Sequence, residues 1–183
     1  MVSLEALHAA LNRGEKVRYL YFWGHQKPKA GIGKSCFSQW YQAPFDVDGR
    51  RYPTAEHYMM ARKALLFKDQ SAFEKISAAR TPGEAKKSGR NVMGFDDKVW
   101  QQERFAIVVE ANLAKFSQRP ELKAFLLNTG ERVLVEASPV DNIWGVGLAA
   151  DDAAIEDPAH WQGLNLLGFA LMAVRERLNK ELV

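Results

Sequence analysis

Only one cysteine, Cys36, occurs in the 183 residues. An internal disulfide and a cysteine metal cluster are therefore both excluded. Long apolar runs are missing as well, and no window approaches the roughly 20 residues a membrane helix needs. The opening MVSLEALHAALNRGEK is interrupted by Glu5 and His8. It reads as a short amphipathic helix opened by Ser3 and not as a signal peptide. Neither sign of charge dominates: 25 Lys and Arg face 22 Asp and Glu, a net charge of +3. That balance suits a site for phosphate groups and argues against a broad nucleic-acid surface. Repeats, low-complexity segments and composition breaks are absent. The chain reads as a single cytoplasmic domain over residues 1–183, without membrane contact.

Familiar chemical motifs are missing too. GIGKS at 31–35 echoes a phosphate-binding loop, but Pro28 stands where the first glycine belongs, and Cys36-Phe37-Ser38 does not begin a clear helix. No GxSxG nucleophile turn occurs, and WGVGL is not a dinucleotide fingerprint. His8, His25, His57 and His160 are scattered without metal-ligand spacing. The expectation is no metal and no cofactor.

What is present is a mainly helical α+β pattern. Helices are expected over 3–12, 54–67, 71–80, 81–88, 97–116 and 121–130, and from 165 to 182, with Gly89 stopping the fourth. VRYLYFW (17–23) and RVLVEAS (132–138) read as strands, the second alternating Val133 and Val135 against Leu134 and Glu136. Asp48-Gly49 between short alternating runs signals a hairpin. Two long loops, 24–44 and 139–163, carry or adjoin Trp23, Trp40, Trp144 and Trp161. Large aromatics favour burial, so these loops are expected to rim a pocket.

The stretch RYPTAEHYMMARKALLF, 51–67, is the most informative. Thr54 caps a helix whose Tyr58, Ala61, Leu65 and Leu66 are spaced to bury one face. Glu56, Met60, Lys63 and Phe67 fall on an adjacent stripe. Such a stripe is either a salt-bridged surface or the wall of a cleft. Glu56 lies in the first turn, where the helix dipole favours the ionised form. Asp141 precedes Trp144 by three residues, and Trp100 is early in the long helix. Each has a bland reading, as a capping carboxylate, a turn residue or a core aromatic. Together, two carboxylates and flat indoles suit a ring-shaped ligand that develops positive charge, as ribose does when an N-glycosidic bond breaks. The residues themselves lead to a cleft for a phosphorylated heterocycle and no further.

Several segments then occur in order: FSQWY at 37–41, VDGRRYPTAEHY at 47–58, Lys63, Gly89-Arg90, Trp100, DNIWGVGL at 141–148 and WQGLNLLGFALMAVR at 161–175. This set resembles the NADAR (YbiA-like) family over about positions 18–177. The resemblance implies an N-glycosidase with Glu56, Asp141 and Lys63 as catalytic residues, Lys63 through a transient Schiff base with the opened sugar. It also implies substrate contacts from Trp100, Trp144, Phe37, Ser38, Gly145, Arg90 and Asn165. One branch of the family cleaves ribose-phosphate conjugates of aminated pyrimidines, early riboflavin-pathway intermediates, releasing ribose 5-phosphate. Another removes ADP-ribose from guanine in nucleic acid. A non-catalytic module for ADP-ribose or NAD is the reading of a different class. The acidic segment 149–163 is expected to influence access to the pocket.

Overall fold

The computed structural model describes residues 2–180. The final residues of the expected closing helix, 181–182, lie outside them. Among the described residues are seven α-helices and four short strands: α1 (Leu4–Asn12), β1 (Tyr19–Phe22), β2 (Phe45–Val47), β3 (Arg50–Tyr52), α2 (Ala55–Leu66), α3 (Gln70–Ser77), α4 (Pro82–Arg90), α5 (Asp97–Ser117), α6 (Pro120–Leu127), β4 (Val133–Glu136) and α7 (Leu166–Lys180). This is the expected α+β, mainly helical architecture. No described helix is long and apolar enough to cross a membrane.

Local chemistry sets the element boundaries. Ser3 caps α1 by accepting the Ala6 amide, and Thr54 caps α2 by accepting the His57 amide. Asp48 and Gly49 both take positive φ, 50° and 75°. That pair of dihedrals makes the tight turn joining β2 to its antiparallel partner β3.

Three expectations need correction. Gly89 does not stop α4, which continues through Arg90. A Cβ on Gly89 would lie 2.0 Å from Met60 Sδ, so this glycine lets α4 pack closely on α2. The strand β4 does not alternate, because Val133, Leu134 and Val135 are all buried. It runs parallel to β1 and is covered by α7, and a parallel strand enclosed in this way reads as a near-continuous apolar run, here Val133–Val135. Nor does α2 bury a single face. It is a central helix, packed on α3, α4 and α5, and every residue from Ala55 to Ala61 is buried, while Leu65 is 45% exposed.

The β1–β4 pair sets Tyr19 opposite Val133 and Phe22 opposite Glu136. Phe37 is fully buried beneath it, its ring 5.4 Å from Phe22 and 5.5 Å from Phe125. The backbone just after it is braced from below by Lys115. That lysine is wholly enclosed, and its Nζ donates to the Ser38 carbonyl at 3.0 Å.

Candidate active site

A cavity of about 580 Å³ opens beyond the carboxyl ends of β1 and β4, the end of a parallel pair at which ligands characteristically bind. Its wall is gathered from seven parts of the chain. Trp23, Gly24 and His25 follow β1; Ser38, Gln39 and Trp40 follow a short 3-10 turn, Lys34–Phe37. Helix α2 contributes Glu56, Met59, Met60 and Lys63, while α4 contributes Lys86 and Arg90 and α5 contributes Trp100. Glu136, Ser138, Val140, Asp141 and Trp144 come from the end of β4 and the loop after it, and Leu167 comes from α7.

Short contacts fix these parts to one another. The Glu56 amide donates to the Gln39 carbonyl at 3.0 Å, tying the first loop to the start of α2. Ser38 Oγ accepts the Trp40 amide at 3.1 Å and so orients the indole that follows. Asp141 Oδ1 accepts the amides of Ile143 at 2.9 Å and Trp144 at 2.8 Å. One carboxylate oxygen thus closes the turn, which leaves the other for the cavity. His57, next to Glu56, faces away: its ring bridges Thr54 Oγ1 at 2.8 Å and the Ala79 carbonyl at 3.1 Å. Burial lowers its pKa, against the hydrogen bond to the Ala79 carbonyl and the charge of Glu84.

Electrostatics inside the cavity are unlike those at a surface. Glu56 is only 4% exposed, and burial pushes its carboxyl up to about 7. The Asp141 carboxylate pushes in the same direction, against Lys86, Arg90 and a hydrogen bond from the Trp40 side chain. The helix dipole favours the ionised form of Glu56 by only about 0.3–1 kcal/mol, and desolvation outweighs it. Burial also pushes Glu136 up, to about 8, reinforced by Asp141 and Glu56 and opposed by Lys86. Burial pulls the half-buried Lys63 down, although Asp97 and Glu56 favour its charge. Its ammonium lies 4.3 Å from the Phe95 ring centre and 5.4 Å from that of Trp100. Among the described residues no trio of His, Cys, Asp and Glu side chains is placed to hold a metal ion.

Of the residues singled out in the sequence, Glu56, Lys63, Asp141, Trp100, Trp144, Ser38 and Arg90 all line this cavity. Phe37, Gly145 and Asn165 do not. Phe37 is core, because strand β1 and helices α5 and α6 enclose its ring. Gly145 is buried where the loop folds back on β4; a Cβ there would lie 2.9 Å from the carbonyl oxygens of both Asp141 and Glu136. Asn165 is fully buried and spends its amide on the backbone of β4. The loop tryptophans also divide. Trp40 and Trp144 line the cavity, and Trp23 stands at it 59% exposed. Trp161 turns away, edge-on to Tyr19 at 6.2 Å, with Nε1 donating to the Ile155 carbonyl. No residue of 149–163 lines the cavity, so its acidic groups do not shape that wall.

Sequence reasoning missed Glu136, Lys86 and Gln39 as wall residues. Glu136 had one visible signal, a lone charge closing an otherwise apolar strand. Lys86 had another: it lies one turn before Arg90, which puts both on one face of α4.

Residues 21–179 match the NADAR domain family. The chain is 44% identical to N-glycosidase R617 of Acanthamoeba polyphaga mimivirus, over 88% of this chain and 97% of that protein. It is 36% identical to N-glycosidase YbiA of Escherichia coli, over 79% of each. The NMR structure of Escherichia coli YbiA superimposes with a TM-score of 0.73 at 32% identity, covering 91% of this chain and 88% of that one.

Proposed function

The chain belongs to the NADAR family and is a hydrolase of N-glycosyl bonds, and we propose that it cleaves ribose-phosphate conjugates of aminated pyrimidines. These are early intermediates of riboflavin biosynthesis; the reaction would take place in the cytoplasm and release ribose 5-phosphate. The observation that carries this reading is the composition of one cavity wall: carboxylates, four indoles and three cations meet in about 580 Å³. That volume suits one phosphorylated riboside.

In this reading the heterocycle lies against Trp144 and Trp100, and its phosphate is met by Arg90 with Lys86. As the C1′–N bond lengthens, ribose takes on oxocarbenium character, which the ionised fraction of Glu56 stabilises from a low-dielectric position. Asp141, with one oxygen anchored in its turn, orients the attacking water. Burial makes Lys63 easier to deprotonate, and a neutral amine can instead take C1′ as a transient Schiff base with the opened sugar.

Incubation of the purified protein with the ribose 5-phosphate conjugate of a diaminopyrimidine, followed by assay of released sugar phosphate, tests the proposal. A parallel arm uses ADP-ribosylated guanine in an oligonucleotide. Turnover confined to the second arm would overturn the substrate assignment.

A further inference from the structure

Glu136 closes β4 in the wall of the cavity, and its Oε2 is buried without a hydrogen-bond partner in the protein. Its backbone is held on both sides: the amide donates to Asn165 Oδ1 at 3.0 Å, and the carbonyl accepts the Val146 amide at 3.0 Å. An unpartnered buried oxygen is a standing cost to the fold, and native proteins retain few of them outside functional sites. A rigid strand end that sets a carboxyl with such an oxygen in the wall of a ligand cavity is the arrangement a proton donor needs.

We propose that Glu136 is the general acid of this site and delivers its Oε2 proton to the departing heterocycle nitrogen. This rests on the N-glycosidase reading above. As the C1′–N bond breaks, its electron pair goes to nitrogen, and the Glu136 O–H bond breaks to supply the proton there. Water then forms the new C1′–O bond and returns one proton to the Glu136 carboxylate. One water is consumed, and the residue ends the cycle as it began. Groups on three elements face this carboxyl: Asp141 from the following loop, Glu56 from α2 and Lys86 from α4. The two carboxylates favour the protonated state and the lysine opposes it, while burial is the largest influence and acts with the carboxylates. These influences favour the protonated carboxyl, which is the form an acid needs before it can give a proton away.

Two measurements on the full-length protein test this. The first is the infrared difference between wild type and Glu136→Gln at pH 7, which is independent of turnover. A neutral-carboxyl C=O band present in the wild type and missing in the variant is the expected result; its absence from the wild type overturns the assignment. The second is single-turnover hydrolysis of the diaminopyrimidine conjugate from pH 5 to 9, with substrate affinity measured separately. Glu136→Gln is expected to bind within a few-fold of wild type and to turn over about 10²–10⁴-fold more slowly. It is also expected to lose the alkaline limb of the wild-type profile. A variant that keeps wild-type rate and limb, or that loses affinity in place of rate, overturns the proposal. A wild type that shows the band but does not hydrolyse the conjugate overturns the substrate reading, and the leaving-group role falls with it.

Discussion

Asn165 grips the end of β4 with both ends of its side-chain amide: Oδ1 accepts the Glu136 amide at 3.0 Å, and Nδ2 donates to the Leu134 carbonyl at 2.9 Å. It does so from a left-handed backbone conformation, φ 52°, which asparagine tolerates better than most residues. The same strand end is approached so closely by α7 that a Cβ on Gly168 would lie 2.1 Å from the Leu134 carbonyl oxygen. Two residues without a place in the cavity wall thus fix where Glu136 points.

Asn165→Asp keeps the acceptor and the backbone preference but replaces the Nδ2 donor with an oxygen facing the Leu134 carbonyl. The expected loss is about 1–3 kcal/mol of stability, read by urea unfolding. Hydrolysis should fall through kcat more than through KM, because a catalytic group is displaced while the rest of the wall stays in place. A shift confined to KM would show that Asn165 acts on substrate binding directly.

Glu56→Gln is expected to fold normally, since the cap of α2 is Thr54 and the Glu56 backbone amide still reaches the Gln39 carbonyl. Turnover should drop by some hundred- to a thousandfold, or about 3–4 kcal/mol of transition-state stabilisation. Near-normal turnover by the folded variant would remove Glu56 from the mechanism.

The raised carboxyls also predict a pH-dependent stability difference. With folded-state values of about 7 for Glu56 and about 8 for Glu136 against an ordinary 4.5, the native state holds these protons longer than the unfolded chain. Their contribution to stability is thus fully present below the unfolded value and is lost as pH rises through the folded values. The double variant Glu56→Gln/Glu136→Gln should gain on wild type between pH 4.5 and 8. The gain is on the order of a few kcal/mol and should level off above that window. Parallel melting temperatures for the two proteins across this range would mean the carboxyls titrate normally.

Lys63 has two readings that one substitution separates. Its ammonium already has aromatic partners in Phe95 and Trp100, which suits a cation that binds phosphate. A covalent role needs the neutral amine, which burial favours. Lys63→Arg keeps the charge but cannot form a Schiff base at neutral pH. If the lysine is covalent, Lys63→Arg is as inactive as Lys63→Ala, and borohydride traps a sugar adduct on the wild-type peptide carrying Lys63. Substantial activity in Lys63→Arg with no trapped adduct would leave direct attack by water as the mechanism.

Much of this molecule is written locally in its sequence. Ser3 and Thr54 mark helix starts because a cap acts within three residues, and Asp48-Gly49 marks its turn because two dihedrals suffice. The stripe joining Glu56 to Lys63 follows from helical spacing alone, and both residues line one cavity. Tertiary structure decided the rest. The pairing of Phe22 with Glu136 joins residues far apart in the chain, and no local pattern encodes it. That pairing encloses β4, so alternation ceased to report which side chains are buried, and Glu136 came into the cavity in place of solvent. Residues recruited from separate elements also reversed the balance at Glu56. A dipole is a property of one helix and can be read along it, whereas desolvation is summed over every neighbour the fold brings near.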